Sequence, residues 1–122
     1  MCIVYRYIVL RYTDVMNRQS TNLLPHVSFS ILFALSIKPR HGYELMQQIE
    51  DDSDGRVKLG PGTLYGALKQ LHEDTLIEEL PFENEHTRRR YYRITRKGLS
   101  RLTADVVYYR KISKLANDRQ LS

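Results

Sequence analysis

The strongest constraint on the fold of this chain is the order of its apolar residues. Three stretches have apolar residues at helical spacing, and two short segments follow in which apolar and polar residues alternate. The first stretch, residues 25–37, begins at a proline and is apolar nearly all round, which predicts a helix buried on more than one side. The second and third, roughly 42–52 and 61–74, each carry an apolar stripe on one side. Three helices with a turn between the second and third are typical of DNA-reading proteins.

The two alternating segments follow the third predicted helix. Residues 76–82 and 89–95 predict the strands of an antiparallel hairpin, with a polar loop between them. A final helix is predicted over roughly 97–116, because apolar residues recur there at every third or fourth position. The sequence therefore predicts a mainly α (α+β) fold, a winged helix-turn-helix with a two-stranded wing and a C-terminal dimerisation helix.

The apolar stripe of the last predicted helix has little other apolar surface in the chain to cover it. We expect this helix to dock on a second copy of the chain, and the alternative is that it folds back on its own domain. The predicted dimer contacts, in the first and last helices, are Phe29, Phe33, Leu99, Leu102, Val106, Tyr109 and Ile112.

The sequence predicts three parts: an N-terminal extension (1–22), a winged-helix DNA-binding domain (23–96), and the C-terminal dimerisation helix with its tail (97–122). The extension alternates only weakly between apolar and polar residues and is assigned no function. Either translation begins at Met16, or the extension is an arm that packs on a partner subunit.

The net charge of +5 lies entirely in residues 83–101, which hold seven Lys and Arg residues and two Glu residues. The rest of the chain is balanced, with 12 basic and 12 acidic residues. A localised basic patch is expected of a protein that binds a polyanion, and a solvated basic hairpin is the alternative. Within this window, Arg88, Arg89 and Arg90 are predicted to contact DNA phosphates or the minor groove.

Several classes of function are excluded by the sequence. Its single cysteine, Cys2, rules out an intramolecular disulfide and a multi-thiolate zinc site, and favours a reducing, cytoplasmic location. The four histidines lie on four different predicted elements without metal-ligand spacing, and no nucleophile motif occurs, so we expect no enzyme, metal or cofactor. No run approaches the ~20 apolar residues of a transmembrane helix, so we expect no membrane partner.

The third predicted helix carries the residues that a DNA-reading helix needs on its outer face. Gly66 has no side chain and permits close approach of the helix to DNA, and Lys69 supplies charge. Tyr65 offers a flat face and a hydroxyl, although a core-edge aromatic is the alternative for this position. Thr63 either caps the helix or hydrogen-bonds a phosphate.

Four motifs in this order resemble the PadR family of bacterial transcriptional regulators over about residues 25–115. The motifs are HGYEL at 41–45, GTLYGALKQL at 62–71, LI at 76–77 and RYYRITRKG at 90–98. The resemblance implies a winged helix-turn-helix homodimer that represses transcription, with a C-terminal dimerisation helix of the short-tail type. It also implies a response to phenolic or other aromatic small molecules or drugs, as in many members.

Position by position, the resemblance adds His41 and Tyr43, at the start of the second helix, to Thr63, Tyr65, Lys69 and the wing arginines as DNA contacts. Two departures from the family pattern stand out. Thr75 replaces the glycine that usually ends the reading helix in a left-handed conformation, so either the residue is strained or the helix ends differently. The wing tip, residues 83–87, contains two glutamates and is not rich in glycine.

The expected function is that of a homodimeric regulator of transcription. A dimer that holds two reading helices ~34 Å apart would prefer a palindromic double-stranded operator. An effector would bind near the dimer junction, where Tyr108 and Tyr109 are candidate pocket walls. The alternative is a winged-helix protein-interaction module, but such a docking surface favours large exposed apolar residues, which the outer face of the third helix lacks.

Overall fold

The computed structural model of the protein describes residues 22–81 and 89–121. In this part of the chain the predicted order of helices and wing strands is confirmed, and the fold is mainly helical with one small antiparallel sheet. The elements are α1 (His26–Leu35), β1 (Arg40–His41), α2 (Gly42–Asp52), α3 (Pro61–Glu73), β2 (Ile77–Leu80), β3 (Tyr91–Ile94) and α4 (Arg96–Asp118).

The chain divides into two compact units, and the larger is the winged-helix unit, Pro25–Leu99. One side of each of its helices and the inner face of its sheet form the core. The largest buried side chains of this unit are Ile31, Leu32, Leu35, Leu45, Ile49, Leu64, Leu68, Leu71 and Ile77. The second unit includes Asn22–Leu24 and α4 from Ser100 onward. The predicted N-terminal extension, 1–22, lies outside the described residues except for Asn22.

The sheet contains one strand more than the predicted two-stranded wing. Its strand order is β1–β3–β2, with both pairs antiparallel. The added strand, β1, has only two residues, too few to show an alternating pattern, so the sequence did not predict it. Pairing of His41 with Tyr91 joins the start of α2 directly to the returning strand of the wing.

Helix α1 is shorter than predicted. It ends at Leu35, two residues before the end of the apolar stretch at position 37. At this end the Ser36 hydroxyl donates a hydrogen bond to the carbonyl of Phe33. Ile37 lies beyond the helix and is exposed. A terminal serine that hydrogen-bonds a carbonyl of the last turn favours an end to the helix over its continuation.

Helix α3 ends with a left-handed residue that is not glycine. Thr75 has φ of 60°, and the amide of Leu76 donates to the carbonyl of Leu71, while the amide of Thr75 donates to that of His72. These two bonds form a Schellman motif, in which glycine is the usual left-handed residue. The first of the two sequence alternatives therefore holds: the helix ends as the family pattern requires, and Thr75 is strained.

Replacing Thr75 with glycine should stabilise the protein by about 1 kcal/mol, because glycine adopts the left-handed conformation without a Cβ clash. The gain is reduced by the loss of a hydrogen bond from Lys97 to the Thr75 hydroxyl. Urea unfolding of Thr75→Gly and Thr75→Ala measures the change in the free energy of unfolding. Because alanine keeps the Cβ, Thr75→Ala should be stabilised less than Thr75→Gly. A Thr75→Gly variant less stable than the wild type would contradict the assigned strain.

The second unit contains a buried carboxylate. Asp105 on α4 is 2% exposed, and its Oδ2 accepts a hydrogen bond from the backbone amide of Leu24 at 2.9 Å. Burial raises the pKa of Asp105, and the Leu24 hydrogen bond and the nearby Arg101 partly oppose this rise. The same arginine donates through Nη2 to the carbonyl of Asn22. This cluster ties the segment before α1 to α4.

The raised pKa of Asp105 predicts a pH-dependent contribution to stability. The folded protein holds this proton more tightly than the unfolded chain does, so stability falls as pH rises from about 3.8 through the higher folded pKa. The asparagine of Asp105→Asn does not titrate. The free energy of unfolding of this variant minus that of the wild type should therefore be larger at pH 7 than at pH 4. Urea unfolding at both pH values checks this, with the exposed Asp118→Asn as charge control. An unchanged difference would contradict the assignment.

Candidate nucleic-acid interface

The outer side of α3 carries the residues that the helical spacing placed there. Leu64, Leu68 and Leu71 are buried, whereas Gly66 and Lys69 are exposed and Tyr65 is 50% exposed. A Cβ built on Gly66 would meet no atom within 4 Å, so the helix surface is open at this point. The predicted Thr63 is also exposed, in the first turn of the helix.

A groove of about 450 Å³ lies beside this helix and gathers residues from three parts of the chain. Five of its six lining residues are predicted DNA contacts from the start of α2, from α3 and from the wing. The sixth, Gly42, belongs to the HGYEL motif but was not predicted as a DNA contact. The lining residues are His41, Gly42, Tyr43, Tyr65, Arg89 and Arg90. Another predicted contact, Arg88, lies outside the described residues.

His41 is largely buried, with 7% of its surface exposed, and it caps α2. Its Nδ1 accepts from the amide of Glu44 at 3.4 Å, and the Glu44 carboxylate in turn accepts from the His41 amide. Because Nδ1 is an acceptor, we assign the ring proton to Nε2, which lies 2.9 Å from Glu44 Oε1. Arg89 Nη1 lies 3.4 Å from the same nitrogen. In this tautomer the ring caps α2, and Arg89 lies beside it without a hydrogen bond to Nε2.

Gly42 and Tyr65 are in close contact across the groove. A Cβ on Gly42 would lie 2.5 Å from the Tyr65 hydroxyl oxygen, closer than any real contact. Glycine at this position therefore lets the tyrosine ring lie against the first turn of α2. Sequence reasoning missed this role, because the two residues are far apart in the chain and nothing in either motif indicates that they touch.

Tyr92 on β3 is 6% exposed and interacts with Glu79 and with two groove residues, Tyr65 and Arg90. Burial raises the pKa of Tyr92, and Glu79 and Tyr65 raise it further, whereas Arg90 lowers it. The Nε of Arg90 lies 3.3 Å from Glu79 Oε1, so the carboxylate and the guanidinium form an ion pair at the edge of the groove. Sequence reasoning missed Glu79 because the pairing depends on the register of the two wing strands.

Two arginines, two tyrosines and the two residues at the start of α2 line the groove. Guanidinium groups favour anions, so the two arginines suit the groove to a phosphate better than to a neutral or cationic ligand. No group of metal-ligating side chains occurs among residues 22–81 and 89–121. In the same part of the chain no helix is long and apolar enough to cross a membrane.

The predicted dimer and effector residues differ in exposure. The rings of Phe29 and Phe33 stack with their centroids 5.7 Å apart. The rings of Tyr108 and Tyr109 meet edge to face with their centroids 5.5 Å apart. Leu102 is 4% exposed and is therefore already buried within a single chain. Val106 is half-buried, and the exposed members of the predicted dimer set are Phe33, Leu99, Tyr109 and Ile112.

The sequence profile of the transcriptional regulator PadR-like family matches residues 31–104 of this chain, which include α2, α3 and the wing strands. The protein belongs to the PadR-like family. The resemblance stated from its motifs is thereby confirmed, and so is the winged-helix fold. As a PadR-like protein it is a DNA-binding transcriptional regulator, and the family is regulatory and not enzymatic.

Solved structures agree with this membership. A transcriptional regulator from Clostridium thermocellum shares 27% identity with the PadR-like protein at a TM-score of 0.66, covering 86% of this chain and 96% of its own. A PadR family transcription regulator from Clostridium difficile shares 26% identity, also at 0.66, over 79% of this chain and 99% of its own. An uncharacterised protein from Lysinibacillus sphaericus is 28% identical over 74% of this chain and 84% of its own.

Proposed function

We propose that this PadR-like regulator is a sequence-specific homodimeric repressor that reads a palindromic operator with α3 and is released by an aromatic effector. The observation that carries the DNA-reading part is the exposed face formed by Tyr65, Gly66 and Lys69 directly beside an arginine-lined groove. A helix that enters the major groove needs close approach and base-contacting side chains, and flanking cations fix its position.

The reading helix supplies close approach at its open glycine. With no atom within 4 Å of a Cβ at Gly66, the helix backbone can lie near the base edges. Lys69, one turn further on, reaches guanine acceptors or a phosphate, and Tyr65 contacts a sugar or a thymine methyl. The exposed Thr63 and the free amides of the first turn bind a phosphate at the entry to the major groove.

The groove supplies the contacts to the DNA backbone. Tyr43 is 62% exposed, and its hydroxyl oxygen accepts from Gln47 Nε2 at 3.0 Å, which leaves its proton available to a phosphate oxygen. Arg89 and Arg90 face the same space from the wing. His41 acts here as a positioning residue, because its buried ring caps α2 and borders Arg89. Arg88, which precedes these two arginines in the sequence, is proposed as a further phosphate contact.

The exposed apolar residues of the chain support a homodimer. Four large apolar or aromatic side chains are each more than 40% exposed, Phe33 and Leu99 in the winged-helix unit and Tyr109 and Ile112 in the second unit. Burial of such residues against a second copy is the common way to cover a terminal helix. Light scattering at tens of micromolar should give twice the chain mass of 14.4 kDa, and a monomer would contradict the dimer.

The effector would bind near Tyr108 and Tyr109, whose edge-on rings form one aromatic wall. To release DNA it must bind the two conformations of the dimer unequally, so that the spacing of the reading helices changes. Titration of phenolic compounds against tyrosine fluorescence checks this, because the chain contains no tryptophan. Unchanged affinity of Tyr108→Ala for a compound that binds the wild type would contradict the site.

Selection of duplexes from a random pool tests sequence-specific reading. We expect enrichment of an inverted repeat whose half-sites are about one helical turn apart, roughly 10 base pairs. Lys69→Ala should weaken binding to the selected duplex. The control is Lys114→Ala, which removes the same charge from an exposed residue of α4 outside the winged-helix unit and should leave binding unchanged. A pool without an enriched sequence would contradict specific recognition.

A further inference from the structure

Two neighbouring glutamates of β2 lie on opposite faces of the wing. Glu78 stands opposite Arg93 in the register with β3, and Glu79 stands opposite Tyr92. Successive side chains of a strand point to opposite faces, and paired residues share a face. Tyr92 is buried and Arg93 is exposed, so Glu79 lies at the rim of the inner face and Glu78 lies on the outer face.

Each glutamate is paired with an arginine on its own face. Arg93 Nε donates to Glu78 Oε1 at 2.7 Å, and Arg93 Nη2 donates to the same oxygen. On the inner face, Arg90 Nε lies 3.3 Å from Glu79 Oε1. Of the two arginines, Arg90 lines the groove beside Tyr65. Of these two glutamates, only Glu79 is therefore paired with an arginine that lines the groove.

We propose that Glu79 determines specificity by limiting how strongly the groove binds DNA of any sequence. Non-specific affinity comes almost entirely from phosphates neutralised by Lys and Arg, so a carboxylate paired with a groove arginine lowers it. A phosphate that approaches Arg90 must first displace Glu79, and it is repelled while that carboxylate stays close. Both side chains of the pair are more than a third exposed, so this displacement is readily reversible.

The consequence is a stronger dependence on contacts made by α3. A duplex without the preferred sequence gains little from Arg90, while an operator gains the base contacts of the reading helix as well. That the natural polyanion is DNA rests on the function proposed above. The restraint that Glu79 places on Arg90 holds for any polyanion, and it can therefore be measured without an operator.

The experiment compares Glu79→Gln with Glu78→Gln, which remove the same charge from adjacent residues on opposite faces. Each full-length variant is measured by anisotropy on a random-sequence duplex across a salt series, and by the salt concentration that elutes it from heparin. Urea unfolding verifies that both variants fold. We expect Glu79→Gln to bind random duplex about three- to tenfold more tightly, with a salt slope steeper by about one, and to elute later from heparin. Glu78→Gln should stay within about twofold of the wild type by the same electrostatic reasoning.

Equal shifts for the two variants on heparin, or weaker binding by Glu79→Gln, would overturn the role of Glu79. Weaker binding would show that the carboxylate orients Arg90 toward the phosphate instead of withholding it. If the wild type binds no duplex at low salt while Glu79→Gln still elutes from heparin later than Glu78→Gln, the proposed DNA function fails and the restraint on Arg90 stands.

Discussion

Replacing Gly98 with alanine should destabilise the winged-helix unit by about 3 kcal/mol, because the site has no room for a methyl group. A Cβ at Gly98 would lie 2.1 Å from the carbonyl oxygen of Leu76 and 2.9 Å from Ile94 Cγ1. The Leu76 carbonyl cannot easily retreat, because it accepts a hydrogen bond from the Thr95 amide. The first turn of α4 packs here on the backbone that joins α3 to β2.

Gly66→Ala is the matched control for this substitution, since both glycines are helical. A Cβ at Gly66 has nothing within 4 Å, so alanine should raise the free energy of unfolding by roughly 0.5–1 kcal/mol. Urea unfolding of the two variants should therefore shift in opposite directions. Similar free energies for both variants would contradict the packing described at Gly98.

Replacing Arg89 and Arg90 together with alanine should reduce affinity for duplex DNA by about tenfold to a hundredfold at low salt. If both arginines neutralise a phosphate in the operator complex, the slope of log K against log salt should become shallower there by about 1.8, and by about 0.9 on random duplex, where Glu79 withholds Arg90. The loss should be enhanced because Glu79, no longer paired with Arg90, would face the phosphates unopposed. Anisotropy across a salt series measures both quantities.

The control for this double substitution is Arg110→Ala with Arg119→Ala, two exposed arginines in the C-terminal part of the chain. It removes the same charge from outside the winged-helix unit. Affinity and salt slope should change much less than in the groove variant. Equal changes in the two variants would mean that net charge, and not the groove, determines binding.

The helices and the two wing strands were predictable because their apolar residues repeat with clear periods. The spacing of Leu64, Leu68 and Leu71 determines which side of α3 faces the core and which side is open. Strand β1 was not predictable, because two residues carry no period and its pairing with β3 depends on tertiary contacts. The burial of Leu102 within a single chain was not predictable for a similar reason. The spacing of apolar residues on a helix shows that one side is covered, but not whether the same chain or a second copy covers it.

The candidate interface was predictable in part. Motif resemblance and charge selected five of the six groove residues, but not how they are held. The capping role of His41 requires a particular ring orientation toward Glu44, and the pairing of Glu79 with Arg90 requires the strand register. Thr75 was different, because the sequence posed two alternatives and its φ of 60° decides between them.

The most direct test of DNA reading is fluorescence anisotropy with a duplex from upstream of the protein's own coding sequence and a scrambled duplex of equal composition. The two are compared across a salt series. We expect tighter binding to the upstream duplex and a steep loss of affinity as salt rises, since phosphate contacts position the helix that reads the bases. Failure to bind either duplex at low salt would contradict the interface assigned to α3 and the groove.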